Sequence, residues 1–187
     1  MALEIKPDKH EAWRNLAATY QHRSAVPRDP QAQFFLGIDN AILAAALQKT
    51  TPEQDFLLAR EVWGAHGRWA EAQACIDRLM EVEPVGLAAL CYAAEIAINL
   101  GEIDDAEAFI ERVRQLEPNH PEALYPLARL LKQRGQASDA RKTLREYYDY
   151  RGTKLEYRKQ METARLFREL DDPDYAGQAC IGAQVEV

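Results

Sequence analysis

The sequence predicts an all-α chain, a solenoid of about five stacked helix-turn-helix hairpins, and three observations carry that expectation. A glycine followed five residues later by an alanine recurs at Gly67/Ala72, Gly101/Ala106 and Gly135/Ala140, in steps of 34 residues. Pro84 and Pro118, each preceded by a glutamate, are also 34 apart, and Pro7 stands in a similar setting near the start. Capping-box spacings, an N-cap oxygen three residues before a Glu or Gln, occur at Asp8/Glu11, Thr51/Gln54, Asn119/Glu122 and Thr153/Glu156. With Val85 after Pro84 as a further boundary, the helix starts are spaced 43, 34, 34 and 34 residues.

The elements follow in order. The first repeat, residues 8–50, opens with a helix from Asp8 carrying Trp13, Leu16 and Tyr20, and is lengthened by an insertion over 24–33. Loops accept such length cheaply, and Pro27 to Pro30 could also form a lip over a groove. Its second helix holds Phe35, Ile38, Ile42 and Ala45, with Gln33 in place of the turn glycine and Ile38 in place of the small alanine, so this hairpin is expected to splay. In repeat 51–84 the apolar residues Phe56, Ala59 and Trp63, then Trp69, Ala72, Ile76 and Leu79, recur three or four apart, the period of two amphipathic helices. Repeat 85–118 has Leu90, Ala93, Ala97, then Ile103, Ala106, Ile110 and Val113; repeat 119–152 has Leu124, Leu127, Leu131, then Ala140, Leu144 and Tyr147. Each glycine suits a left-handed residue that ends a helix. Each ladder alanine suits a close helix approach, where a larger side chain would cost about 1–3 kcal/mol. Residues 153–187 form a terminal capping repeat: Tyr157, Met161, Ala164, Phe167 and Leu170 make its expected buried stripe, Asp172-Pro173 starts the last helix, and Ala176, Cys180 and Ala183 repeat the ladder two residues late. A wetter outer face is what the end of a solenoid requires.

These residues resemble the tetratricopeptide repeat family: the large apolar position at Trp13, Phe56, Leu90 and Leu124, the small residue at Ala17, Ala94 and Ala128, the turn glycines, the alanine ladder and the boundary prolines. The resemblance implies a single right-handed α-solenoid over 1–187 that acts as a protein- or peptide-binding scaffold without catalysis or cofactor. It also implies a concave wall made by the first helix of each repeat. Its groove phases fall on Arg14, Ala18 and Gln21; Leu57, Glu61 and Gly64; Cys91, Glu95 and Ile98; and Tyr125, Arg129 and Lys132. Family members that hold chaperone C-terminal carboxylates use Lys, Asn and Arg at set phases. Here those phases carry Arg14, Ala18, Leu58, Ala88 and Tyr92, so that subclass is not expected.

Composition narrows the function classes. The net charge of −7 disfavours a general nucleic-acid role, although residues 121–170 carry 12 Lys/Arg against 7 Asp/Glu, whereas residues 1–120 carry 11 against 19. Cys75, Cys91 and Cys180 have no paired spacing and are expected to be buried thiols; His10, His22, His66 and His120 do not fall at ligand spacings, so no metal site is expected. Phosphate-cradling loops and nucleophile elbows are absent from the sequence. Asp104-Asp105 and Asp171-Asp172 flank helix starts, where the helix dipole favours them. With neither a leader-like start nor a membrane-length apolar run, a cytoplasmic location without membrane insertion is expected. Residues 2–7 read as the end of a preceding repeat, as in a piece of a longer protein. Two rival readings stand beside the scaffold: a homo-oligomer built on Tyr147, Tyr148, Tyr150 and Tyr157, and a regulatory or targeting domain of a larger enzyme.

Overall fold

The computed structural model describes residues 50–81, 85–151, 154–155 and 157–184, together with Ile38, Ala41, Ile42 and Ala44; for residues 182–184 only the backbone is described. The expectations placed on Asp8, Trp13, Arg14, Gln21, the 24–33 insertion, Pro84 and the Thr153/Glu156 box lie outside these residues. The fold class is the all-α helical repeat, and no strand occurs among the described residues. The chain forms two compact units, Met1–Ala89 and Leu90–Val187.

In the first unit, helix α1 spans Pro52–Leu57. Its start obeys the predicted box: the Thr51 N–H donates to Gln54 Oε1 at 3.0 Å, and the Gln54 N–H donates to Thr51 Oγ1 at 3.4 Å. Beyond Leu57 the chain does not continue as the single regular α-helix that the sequence predicts. It winds as a π-helix over Leu58–Trp63 and closes as a 3-10 turn over Gly64–His66. The cause is a mismatch in length. Thr51-Pro52 starts the helix one residue earlier in the 34-residue period than Leu87 and Pro121 start theirs, while Gly67 stays in phase with Gly101 and Gly135. The extra residue is taken up by the wider turn. Helix α2, Trp69–Met80, folds back with Ala72 and Ile76 fully buried. Ile38, at the place of a ladder alanine, is also fully buried.

The second unit contains most of α3 (Leu87–Leu100), then α4 (Ile103–Leu116), α5 (Leu124–Gln133), α6 (Ala137–Arg151), α7 (Tyr157–Glu169) and α8 (Pro173–Gln184). The turn that ends each first helix is the same three times. Gly67, Gly101 and Gly135 have φ of 70°, 82° and 75°, the left-handed region that glycine enters without a Cβ clash. The residue after each glycine donates its N–H five residues back, to Trp63 O, Ala97 O and Leu131 O at 2.8–2.9 Å, and its own carbonyl accepts from the N–H of Ala72, Ala106 or Ala140. That is a Schellman closure followed at once by a new helix. All three ladder alanines are 0% exposed.

The last hairpin builds the same turn without glycine. Asp171, at φ 56°, takes the left-handed position, Asp172 N–H donates to Phe167 O at 2.9 Å, and Ala176 N–H donates to Asp172 O at 3.1 Å. The two-residue lag predicted for this ladder is therefore the lag of the turn itself. Phe167 is fully buried, with its ring centroid 5.9 Å from that of Tyr148 and 5.2 Å from that of Tyr175.

Three further expectations are corrected. Asn119 does not cap a helix, because Pro121 holds His120 in extended backbone (ψ 114°) and the helix begins with a 3-10 turn at Pro121–Ala123 that has no side-chain cap. Glu122 meets Arg151 instead, at 3.2 Å. Tyr157 is exposed and Met161 half-buried; Gln160 and Thr163 take the buried places in α7, where the Gln160 amide donates to Leu155 O and the Thr163 hydroxyl to Lys159 O. Cys75 and Cys91 are buried free thiols, but Cys180 is half-buried.

Candidate interaction face

In the second unit the first helices of successive hairpins, α3, α5 and α7, bring Cys91, Tyr125 and Lys159 into one register 34 residues apart. The Lys159 ammonium sits 3.6 Å from the centroid of the Tyr125 ring and 2.7 Å from Glu95 Oε2, with Glu162 at 3.7 Å. A partly desolvated cation over an aromatic face contributes about 0.5–2 kcal/mol. Tyr125 also packs on Tyr147, ring centroids 5.4 Å apart. Farther along α5, Arg129 donates from Nη2 to Asn99 Oδ1 at 2.9 Å, and Asn99 Nδ2 donates to Glu95 O at 2.7 Å. Lys132 pairs with Glu169, which also accepts from Arg165 Nε at 2.9 Å.

Burial and charge set the chemistry of these groups. Burial, reinforced by the Glu122 and Glu95 carboxylates, pushes the Cys91 thiol up to about 12, so it stays protonated and inert. Burial, with Glu95 next, holds the Tyr125 hydroxyl well above its usual value. The Glu169 carboxyl is lowered, chiefly by its hydrogen bond from Lys132. Among the described residues no group of three or more His, Cys, Asp or Glu could hold a metal ion, and no helix is long and apolar enough to cross a membrane.

The residues expected to line a groove are placed unequally. Glu95, Arg129 and Lys132 are half-buried and linked to neighbouring helices. Cys91, Ile98 and Tyr125 are 5%, 2% and 4% exposed, so they support the face from beneath rather than line it. A helical phase specifies direction, but the amount of cover depends on the next hairpin, which these positions meet.

In the first unit Glu61 pairs with Arg60, and Leu57 is half-buried. Gly64 is buried. The π winding lies between Leu57 and the in-phase glycine, so residues before it are displaced by one: Phe56, not Leu57, corresponds to Cys91 and Tyr125. The exposure of Thr51 and Glu53 matches that of Gly86 and Ala88, 35 residues on, as this displacement requires. Arg14 and Gln21 lie outside the described residues. Lys159 was missed as part of the face, although its 34-residue spacing from Tyr125 was a signal that could have found it. Of the proposed tyrosine interface, Tyr147 and Tyr148 are core residues, whereas Tyr150 and Tyr157 are exposed.

Residues 97–149 match the family model described as tetratricopeptide repeat. No curated protein matches the chain. Among solved structures it is similar to PilW, described as a widely conserved type IV pilus biogenesis factor, at 22% identity and a TM-score of 0.51 over 99% of this chain and 79% of that one. It is also similar to MamA 41-end from Desulfovibrio magneticus RS-1, at 16% identity and a TM-score of 0.49 over 95% and 94% of the two chains. A MamA RS-1 double mutant gives 17% identity and 0.48 over the same shares. At these identities the PilW likeness speaks to fold alone. Residues 97–149 thus carry the match to the tetratricopeptide repeat, and one glycine-alanine turn built three times at 34-residue steps extends the same helical-repeat fold to the described residues around them.

Proposed function

We propose that the chain is a protein-interaction scaffold that binds a peptide or protein segment on the face formed by α3, α5 and α7, mediates assembly of a protein complex, and carries no chemistry of its own. The observation that supports it most is the ladder of side chains joining these helices, Glu95 to Lys159, Lys159 to Tyr125 and Arg129 to Asn99. It holds charged groups in fixed, half-exposed positions on rigid helices. A preorganised polar face of this kind binds without paying the entropy of ordering loops. The groove assigned to Arg14, Gln21, Leu57 and Glu61 is part of the same reading for the first hairpins.

The test is affinity capture with the full chain against a variant carrying Arg129→Glu and Lys132→Glu, after circular dichroism has shown equal helicity and melting. Loss of specific proteins from the variant supports the face; recovery of the same proteins by both chains refutes it. Exposed Tyr150, Tyr157 and Ile181, at 63%, 57% and 64%, favour self-association as a second reading. A monomer mass that does not change with concentration removes it.

A further inference from the structure

We infer that the face centred on Arg129 takes an acidic peptide, with Arg129 receiving a side-chain carboxylate; this rests on the scaffold reading above and names its partner class. Five cations and three carboxylates meet along α3, α5 and α7. Lys159 has Glu95 and Glu162, Arg158 has Glu162 at 4.0 Å, and Lys132 and Arg165 share Glu169. Arg129 has no carboxylate among the described residues; its bond is to the neutral amide of Asn99.

The 34-residue register sharpens the point. Glu61, Glu95 and Arg129 occupy one position in three successive repeats, and each of the two carboxylates has a cation of its own, Arg60 and Lys159. At Arg129 the charge is reversed, and no counter-charge meets it among the described residues. A half-buried guanidinium without a counter-ion carries a desolvation cost. The Asn99 bond orients it while occupying one of its five N–H donors, and the fork geometry suits a carboxylate.

Partner charge follows from the surroundings. The face has an excess of positive charge on a chain whose net charge is −7. It would steer a short acidic segment, while exposed Asp104, Asp105 and Glu111 on α4 would repel a long polyanion. A peptide of spaced carboxylates therefore fits better than a nucleic acid.

The experiment is fluorescence anisotropy of the full chain with labelled decapeptides alternating Glu-Ala, Lys-Ala or Ser-Ala, and with a single-stranded oligonucleotide, at two salt concentrations. The Glu-Ala peptide should bind, more weakly at higher salt. Arg129→Gln should weaken it about tenfold or more, as loss of a charge-assisted hydrogen bond does. Lys132→Gln should weaken it less, and Arg129→Lys should recover part of the loss. Absence of Glu-Ala binding, or equal binding by Arg129→Gln with unchanged melting, overturns the inference, and so does tighter, Arg129-dependent binding of the oligonucleotide. If the neutral or Lys-containing peptide binds instead, the acidic class falls and the scaffold reading stands. If no peptide binds and the capture experiment also fails, both fall.

Discussion

The ion pair between Asp55 and Arg78 holds α1 against α2, and its two halves are not equivalent. The Asp55 residue is 4% exposed and accepts from Thr50 Oγ1 at 2.9 Å, from Arg78 Nε at 3.1 Å, and from Arg78 Nη2. The Arg78 side chain is 47% exposed and also donates to Ala74 O. Removing the cation strands a buried carboxylate, which in a fully buried pair costs about 3–5 kcal/mol; solvent on the arginine side reduces this to about 2–3 kcal/mol for Arg78→Ala. Removing the carboxylate lets Arg78 turn to water, so Asp55→Ala should cost about 1 kcal/mol, mostly the lost hydrogen bonds. The double variant should be more stable than Arg78→Ala alone, because no buried charge is left behind. Hydrogen exchange at the amides of α1 and α2 reads these values locally, which suits a repeat protein whose units need not unfold together. A cost for Asp55→Ala at or above that of Arg78→Ala, or a double variant whose cost is the sum of the two, would refute the reasoning.

Substitutions in the turns should act in opposite directions. Gly101→Ala, at φ 82° with open space around its Cβ position, should lose about 1–2 kcal/mol through backbone strain alone, whereas Gly86→Ala, also in open space but without positive φ, should change stability by about 0.5 kcal/mol or less. Asp171→Gly should raise stability by about 0.5–1 kcal/mol, since a non-glycine residue is held at φ 56° there; thermal melts of the variants check both claims. The thiols should also separate. With Cys91 pushed up to about 12, its thiolate is scarce at pH 8 and emerges only as pH rises toward that value, so a disulfide reagent at pH 8 should modify half-buried Cys180 first and Cys91 only in denaturant. Phe167→Ala should cost about 3–5 kcal/mol, seen as faster amide exchange in α7 and α8, because the fully buried ring packs against both Tyr148 and Tyr175.

What was legible in the sequence is what depends on near neighbours along the chain. Gly67, Gly101 and Gly135 announce left-handed closures because only the residue's own backbone decides the matter, and Ala72, Ala106 and Ala140 announce close approach because they follow at a fixed distance. Thr51 caps as its spacing requires, while Asn119, with the same spacing, does not; Pro121 fixes where helical geometry can begin and leaves Asn119 too far upstream. The candidate face was legible in part. Glu95, Arg129 and Lys132 have the predicted phase, but the hidden positions of Cys91, Ile98 and Tyr125 depend on cover from other hairpins. The Lys159–Glu95 pair joins residues 64 apart, which no local spacing reveals. Buried Gln160 and Thr163 in α7 broke the apolar pattern for a related reason. The Gln160 amide N–H and the Thr163 hydroxyl donate to carbonyls of the same hairpin, so an apolar stripe was not required there.

The π turn over Leu58–Trp63 shows where a repeat of this kind can accommodate a change of length. An added residue is usually expected in a connecting loop, yet here the surplus stays inside a helix and is taken up before Gly67, so the turns at Gly101 and Gly135 keep their place. On a helix, one residue of offset rotates all preceding side chains by about 100° about the axis. A one-codon insertion or deletion in such a helix can thus re-aim the surface of a single hairpin while leaving the downstream array in register, a route to altered specificity that point substitution does not offer.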